Sequence, residues 1–269
     1  MSILKNILSF YIESSLHVAF AVYALVRITF LKLNIPYDEA VTLFGFYGTI
    51  VGYNFIKYDE LARIKKVKLT FRFKAIIALS AISFLATFYY FLELQTKTKC
   101  IGFLALIITI LYTLPFFPNK ENMRNWSGVK IYLVALAWVG VTVCLPVINA
   151  NHDWNSIVFL KCIQRFILVF VLMLIFEIID LKTDNWHLKT IPQQIGVSKT
   201  KYLTYLLLLL FFFLDLMKPN ISFRSMITTF SIALIVALFT YFATIKKNKY
   251  YTSFWVESIP IFWLILLLI

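Results

Sequence analysis

Charge is scarce in this sequence: aspartate, glutamate, lysine and arginine make up 14% of its 269 residues, where a soluble domain carries about a quarter. With 61% of residues hydrophobic, no soluble fold of this length has enough polar surface to present to water. Glycine and proline number seven each, which excludes collagen-like and low-complexity architectures. Cysteine is limited to Cys100, Cys144 and Cys162, all inside or at the ends of apolar stretches. Their number is odd and their spacing is not that of metal ligands, so they read as small buried hydrophobes. Acidic residues are half as many as basic ones, 13 against 26. The basic excess lies in short segments between apolar stretches and forms no single face of a soluble domain, so nucleic acid is excluded as a partner. No small-residue cleavage site follows the first apolar stretch, which is read as a mature span and not as a secretory signal.

What is present is a series of long apolar runs without period-2 alternation, the pattern of transmembrane helices and not of barrel strands. Nine candidate spans follow: Leu16–Leu33, Val41–Ile56, Ala75–Leu94, Ile101–Phe117, Ile131–Ile148, Ile157–Ile179, Tyr202–Met217, Met226–Ile245 and Phe254–Ile269. The chain is therefore read as an all-α integral membrane protein, a single transmembrane helical domain over residues 1–269. Lysine and arginine gather in the connections after the second, fourth, sixth and eighth spans. By the positive-inside rule those connections and the N-terminus are cytoplasmic and the C-terminus lies outside. The expected location is a cell membrane with membrane lipid as solvent, a bacterial inner membrane. The opposite connections, such as Asn34–Pro36–Asp38 and Asn149–Asn151–Asp153, are short and poor in candidates, so a site is expected on the cytoplasmic face.

Most of the polar chemistry falls in one segment, Phe176-Glu177-Ile178-Ile179-Asp180-Leu181-Lys182-Thr183-Asp184. On a helix Asp180 and Asp184, four residues apart, share a face, and Glu177 points near the same side. Like charges at that spacing repel unless solvent or a cation lies between them. A hard divalent ion such as Mg²⁺ takes oxygen ligands and leaves room for phosphate oxygens, so a D-x-x-x-D pair at a helix end is suited to a metal–diphosphate. A solvated helix end, with Lys182 and Lys189 as exposed partners, is the plainer reading of the same residues.

The segment continues Thr190-Ile191-Pro192-Gln193-Gln194-Ile195-Gly196. Here the chain resembles the second aspartate-rich region of the UbiA superfamily of intramembrane prenyltransferases, in which D-x-x-x-D is followed by a short loop and T-[IL]-P-x-x-[IL]-G. Leu188 stands where that family has glycine, and the loop is one residue shorter. Tyr112-Thr113-Leu114-Pro115-Phe116 with Lys120 is similar to the family's Y-S-x-P-P-x-x-x-K stretch. The family's first motif, N-D-x-x-D-x-x-x-D, is met only in part. Asn54 keeps the asparagine, but Phe55, Tyr58 and Ala62 hold the aspartate positions, and Asp59 and Glu60 stand one or two residues out of register.

The resemblance implies about nine helices around a central cavity with a polar cytoplasmic mouth. It implies transfer of an isoprenoid chain from a prenyl diphosphate to an aromatic, quinone-precursor or other lipophilic acceptor, assisted by Mg²⁺. Asp180, Asp184 and Tyr112 would then be the catalytic residues, with Asp180, Asp184 and Asp59 at the metal and Asn54, Arg63, Lys120 and Lys130 at the substrate. The departures in the first motif motivate a second expectation, a catalytically inactive UbiA-like protein that binds a lipid or quinone-like ligand. A transporter, the third class, lacks paired repeats and matched Gly/Pro-broken helices. Arg27 and Arg165 lie inside spans in the outer half. A role in the cavity or helix-to-helix bonding accounts for them, with Glu13, His17 and Gln164 as polar company.

Overall fold

Backbone amides in hydrocarbon have no water to bond, so each apolar stretch must satisfy its own ladder as a helix. The computed structural model describes residues 3–64, 70–116, 123, 126, 128–218 and 222–269, and of residues 4 and 60–64 only the backbone. Among the described residues each of the nine expected spans falls on a helix, and we label the helices in chain order: α1 Ile3–Glu13, α2 Leu16–Leu33, α3 Glu39–Ile64, α4 Phe71–Glu93 and α5 Thr96–Thr113. There follow α6 Lys130–Asn149, α7 Ser156–Asp180, the short α8 Ile191–Ile195, α9 Val197–Leu216, α10 Phe223–Phe242 and α11 Tyr251–Leu268. Eight of them are long and apolar enough to cross a membrane by length and composition, and the 26-residue α3 runs beside them.

Neighbours in sequence are mostly neighbours in space, from α2 against α3 round to α10 against α11, and α11 packs back on α2. The spans thus close into a ring. Burial follows position: α7 is the most enclosed, while α4 buries only Ile76 and Ser83 and turns Phe84, Leu85, Phe88 and Tyr89 outward. Apolar side chains facing lipid cost nothing there, which is why so much hydrophobic surface is tolerated. Ala19, Ala21 and Ala24 of α2 are buried, and small residues let helices approach closely where lipid supplies no hydrophobic drive.

Two buried polar side chains hold the ring. His17 Nε2 of α2 donates to Phe254 O of α11 at 2.8 Å, and its ring stacks on Phe254 with centroids 5.1 Å apart. This joins the first span to the last. Arg165 of α7, buried, donates to Thr142 Oγ1 of α6 (2.5 Å) and to Leu25 O and Thr29 Oγ1 of α2 (3.2 Å each). Its role is helix-to-helix bonding. The α6 residues around Thr142 form a π-helical turn, Gly140–Cys144, followed by Pro146. A proline has no N–H to give the carbonyl four residues before it, and Thr29 Oγ1 donates to that carbonyl, Thr142 O, at 2.6 Å. Arg27, by contrast, lies over the Tyr37 ring at 4.1 Å.

Chain direction alternates, so the ends of α3, α5, α7 and α10 and the starts of α4, α6, α9 and α11 share one end of the ring. The starts of α7 and α10 and the ends of α2 and α9 share the other.

Candidate functional site

At the first end, α7 stops at Asp180, and one further turn follows. Three donors converge on Asp180 O: the amides of Thr183 and Asp184 at 2.8 Å and the Thr183 hydroxyl at 3.0 Å. The turn brings Asp184 within electrostatic reach of Asp180, although it lies beyond the helix proper. Asp180 lines a cavity of about 240 Å³ together with Glu13 of α1, Lys57 and Tyr58 of α3, Phe176 of α7, and Lys249, Tyr250 and Thr252 before and in α11.

Glu177 takes a different direction from the one its spacing suggests. It is buried, its Oε2 accepts the amide of Ile191 at 3.1 Å, and it lines a small pocket with Lys130, Thr190 and Leu188. The carboxylate therefore caps the short helix α8, the place where a helix leaves its amides unpaired. Thr190 N donates to Gln193 Oε1 at 2.9 Å, and Gly196 links α8 to α9 at φ 82°, a conformation that favours glycine. Leu188 O accepts the amide of Gly128 at 2.9 Å, which ties this loop to the connection before α6. Lys130 lies within electrostatic reach of both Glu177 and Asp180.

On the α3 side, Asn54, Lys57 and Tyr58 stand at i, i+3 and i+4 and so share a face. That face holds the elbow between α1 and α2, where Ser15 turns at φ 63°. Asn54 Nδ2 donates to Ser14 O (3.1 Å) and Ser80 Oγ (2.8 Å), and its Oδ1 accepts from Ser15 Oγ (2.8 Å). Lys57 Nζ donates to Ile12 O (3.3 Å) and Ser15 Oγ (3.0 Å), and Tyr58 OH to Glu13 O (2.9 Å). Glu13 in turn pairs with Arg72 at 3.1 Å. Asn54 is thus engaged within the protein on both ends of its amide. Asp59 is near the end of α3 and is not among the residues that line the cavity with Asp180.

Arg63 (by its side chain) and Lys120 lie outside the described residues. Tyr112 is buried near the end of α5, close to Tyr53, whose hydroxyl accepts from Trp138 Nε1 at 2.9 Å. Reasoning from sequence missed Lys57, Lys249 and Tyr250 as cavity residues. It also missed Glu257 of α11, which lies within electrostatic reach of Lys57 and Tyr53. Among the described residues no group of three or more His, Cys, Asp or Glu side chains converges.

No protein-family profile matches the chain, and no curated protein sequence matches it. Solved structures do. A UbiA homologue from Aeropyrum pernix K1 is similar with a TM-score of 0.65 at 14% identity, over 92% of this chain and 95% of that one. A UbiA homologue from Archaeoglobus fulgidus, solved with GPP and Mg²⁺, has a TM-score of 0.60 at 12% identity over 96% and 98%. A digeranylgeranylglyceryl phosphate synthase has a TM-score of 0.57 at 14% identity over 97% and 96%. Backbone agreement over nearly the whole of each chain shows that this multi-pass membrane protein has the UbiA fold.

Proposed function

We propose that the protein is an intramembrane prenyltransferase, moving an isoprenoid chain from a prenyl diphosphate to an aromatic, quinone-precursor or other lipophilic acceptor. One observation carries the reading: Asp180 ends the most enclosed span and faces a cavity at the polar end of a UbiA-fold ring. The similar structures point the same way, one being described with GPP and Mg²⁺ and another as a synthase of a digeranylgeranyl lipid. The basic connections lie at this end, so the mouth is cytoplasmic, the N-terminus inside and the C-terminus outside.

Asp180 and Asp184 fit one Mg²⁺, which is bound through one or two carboxylates and completes its shell with water and substrate phosphate oxygens. A second ion on the α3 side does not fit, because Lys57 and Tyr58 stand there. When bound, the ion supplies positive charge to the diphosphate as it leaves. Lys57 and Lys249 add fixed positive charge in the same cavity, and fixed cations favour a developing anion. Tyr53, a helical turn deeper than Lys57, and Tyr112 with it offer ring faces to an allylic cation. The closed apolar ring keeps water from trapping that cation.

Purified protein supplied with Mg²⁺ and prenyl diphosphates of several lengths should consume them, and Asp180→Ala should abolish consumption. If no prenyl diphosphate is bound or consumed, the reading fails. Phe55, Tyr58 and Ala62, which hold the aspartate positions on α3, favour a second reading, a non-catalytic protein that holds a lipid or quinone-like ligand. In that case Asp180→Asn leaves function intact and lipid copurifies without metal.

A further inference from the structure

The opposite end of the ring contains a second charged assembly, about 28 Å of helix away from Asp180 when counted from Lys161 along α7. It owes nothing to the transferase reading. At its centre is Asp215 of α9, fully buried. Asp215 accepts from Lys32 of α2 (3.4 Å), from Lys218, from Thr229 Oγ1 of α10 (2.8 Å) and from Gln164 Nε2 of α7 (3.3 Å). Lys32 also donates to Thr229 Oγ1 at 3.0 Å and to Ser225. Lys161, 1% exposed, donates to Gln164 Oε1 at 3.0 Å. Its ammonium lies 5.3 Å from the centre of the Trp263 ring, and that of Lys32 lies 5.8 Å from it.

Charge does not balance here. Among the described residues three lysines surround one carboxylate, and Arg165, one turn beyond Lys161, meets neutral oxygen acceptors. Hydrogen bonding does not balance either. Trp263 is 1% exposed, and among the described residues its Nε1 has no acceptor. An ammonium has three N–H groups, and among the described residues Lys161 meets one acceptor. Buried cations are held by counter-charge, and buried donors by acceptors. Both deficits fall on neighbouring side chains, Lys161 and Trp263, whose ammonium and ring centre are 5.3 Å apart. A group rich in oxygen and negatively charged would answer both.

We propose that this end of the ring binds a phosphate group, held by Lys161, Lys218 and the Trp263 indole N–H. Lys218, whose side chain is 10% exposed, stands between the buried cluster and the surface. The cluster lies where α2 and α9 end and α7 and α10 begin, the end of the ring opposite the Asp180 cavity. Ammonium groups give charge-assisted hydrogen bonds to phosphate oxygens. The same phosphate chemistry is presented by a phospholipid headgroup or by free inorganic phosphate.

The test uses the whole protein, delipidated in maltoside detergent without phosphate and titrated at constant ionic strength. One arm receives inorganic phosphate, a second short-chain phosphatidylglycerol and a third sodium chloride, with thermal unfolding as the readout. A ligand that binds the folded state raises the midpoint with concentration. Phosphate or phosphatidylglycerol should raise it and chloride should not. The arm that responds at lower concentration identifies the source. Trp263→Phe, which keeps the ring and removes the N–H, and Lys161→Met should each weaken the response by about tenfold. The proposal is overturned if neither phosphate compound raises the midpoint, if chloride does as well as they do, or if both variants respond like the parent.

Discussion

Asp215→Asn removes the charge of the one carboxylate found among the described residues of the outer cluster, while keeping its shape and the bonds that Lys32 and Thr229 give to Oδ2; those that Gln164 and Lys218 give to Oδ1 are lost. The side-chain amide introduced there would still accept from Thr229, which now donates at 2.8 Å. What disappears is the counter-charge to Lys32 and Lys218, both paired with Asp215 and nearly buried. Removing one partner of a buried ion pair costs about 3–5 kcal/mol, because the other charge is left without compensation. For a chain of this size that is a fall in unfolding midpoint on the order of 10 °C, read by thermal unfolding in neutral detergent. Lys218→Met in the same background removes one uncompensated ammonium, so the double variant should recover part of the loss, and the two changes should be non-additive. A midpoint within about 2 °C of the parent would refute the reasoning, since the lysines would then not depend on Asp215 for their charge. Additive losses would refute it as well.

Two further outcomes concern the α3 face. Asn54→Ala removes one hydrogen bond each from Ser14 O, Ser15 Oγ and Ser80 Oγ. The expected loss is about 1–3 kcal/mol, with faster proteolysis near the α1–α2 elbow as a local readout. Lys57→Gln keeps a donor for Ser15 but removes the cavity charge, so in active protein the KM for prenyl diphosphate should rise about tenfold with a smaller change in kcat. An unchanged KM would reduce Lys57 to a support for the elbow.

The spans were legible because long apolar runs have one solution in lipid. Leu16–Leu33 is matched end to end, and the others differ mainly where polar residues continue the helix past the apolar run. Thus α3 runs on from Ile56 to Ile64, carrying Lys57 and Tyr58 on its extra turns. Asp180 was legible for the same reason, as a carboxylate at a span's end. Glu177 was read by angle alone, and a backbone amide fourteen residues away determined its partner. The outer cluster was not legible. Lys32 and Lys218 stand in or near the sparse connections, where a basic residue carries only topology, and no motif singles out Asp215 within its span. Their meeting depends on contacts between α2, α7, α9 and α10, whose sequence separations reach 197 residues, and no local pattern encodes that.

The join of His17 to Phe254 and Ser258, with Ser9 beside Tyr250, has a consequence for biosynthesis. During translation the first span enters the bilayer while its partner is still unmade, 237 codons away. Until the last helix is inserted the earlier ones form an open palisade, with the His17 imidazole and the α2 seam turned to lipid or to the insertion machinery. The wall of the cavity is therefore completed in a single late event, and a substitution at His17 should act on the yield of inserted protein before it acts on any step of chemistry.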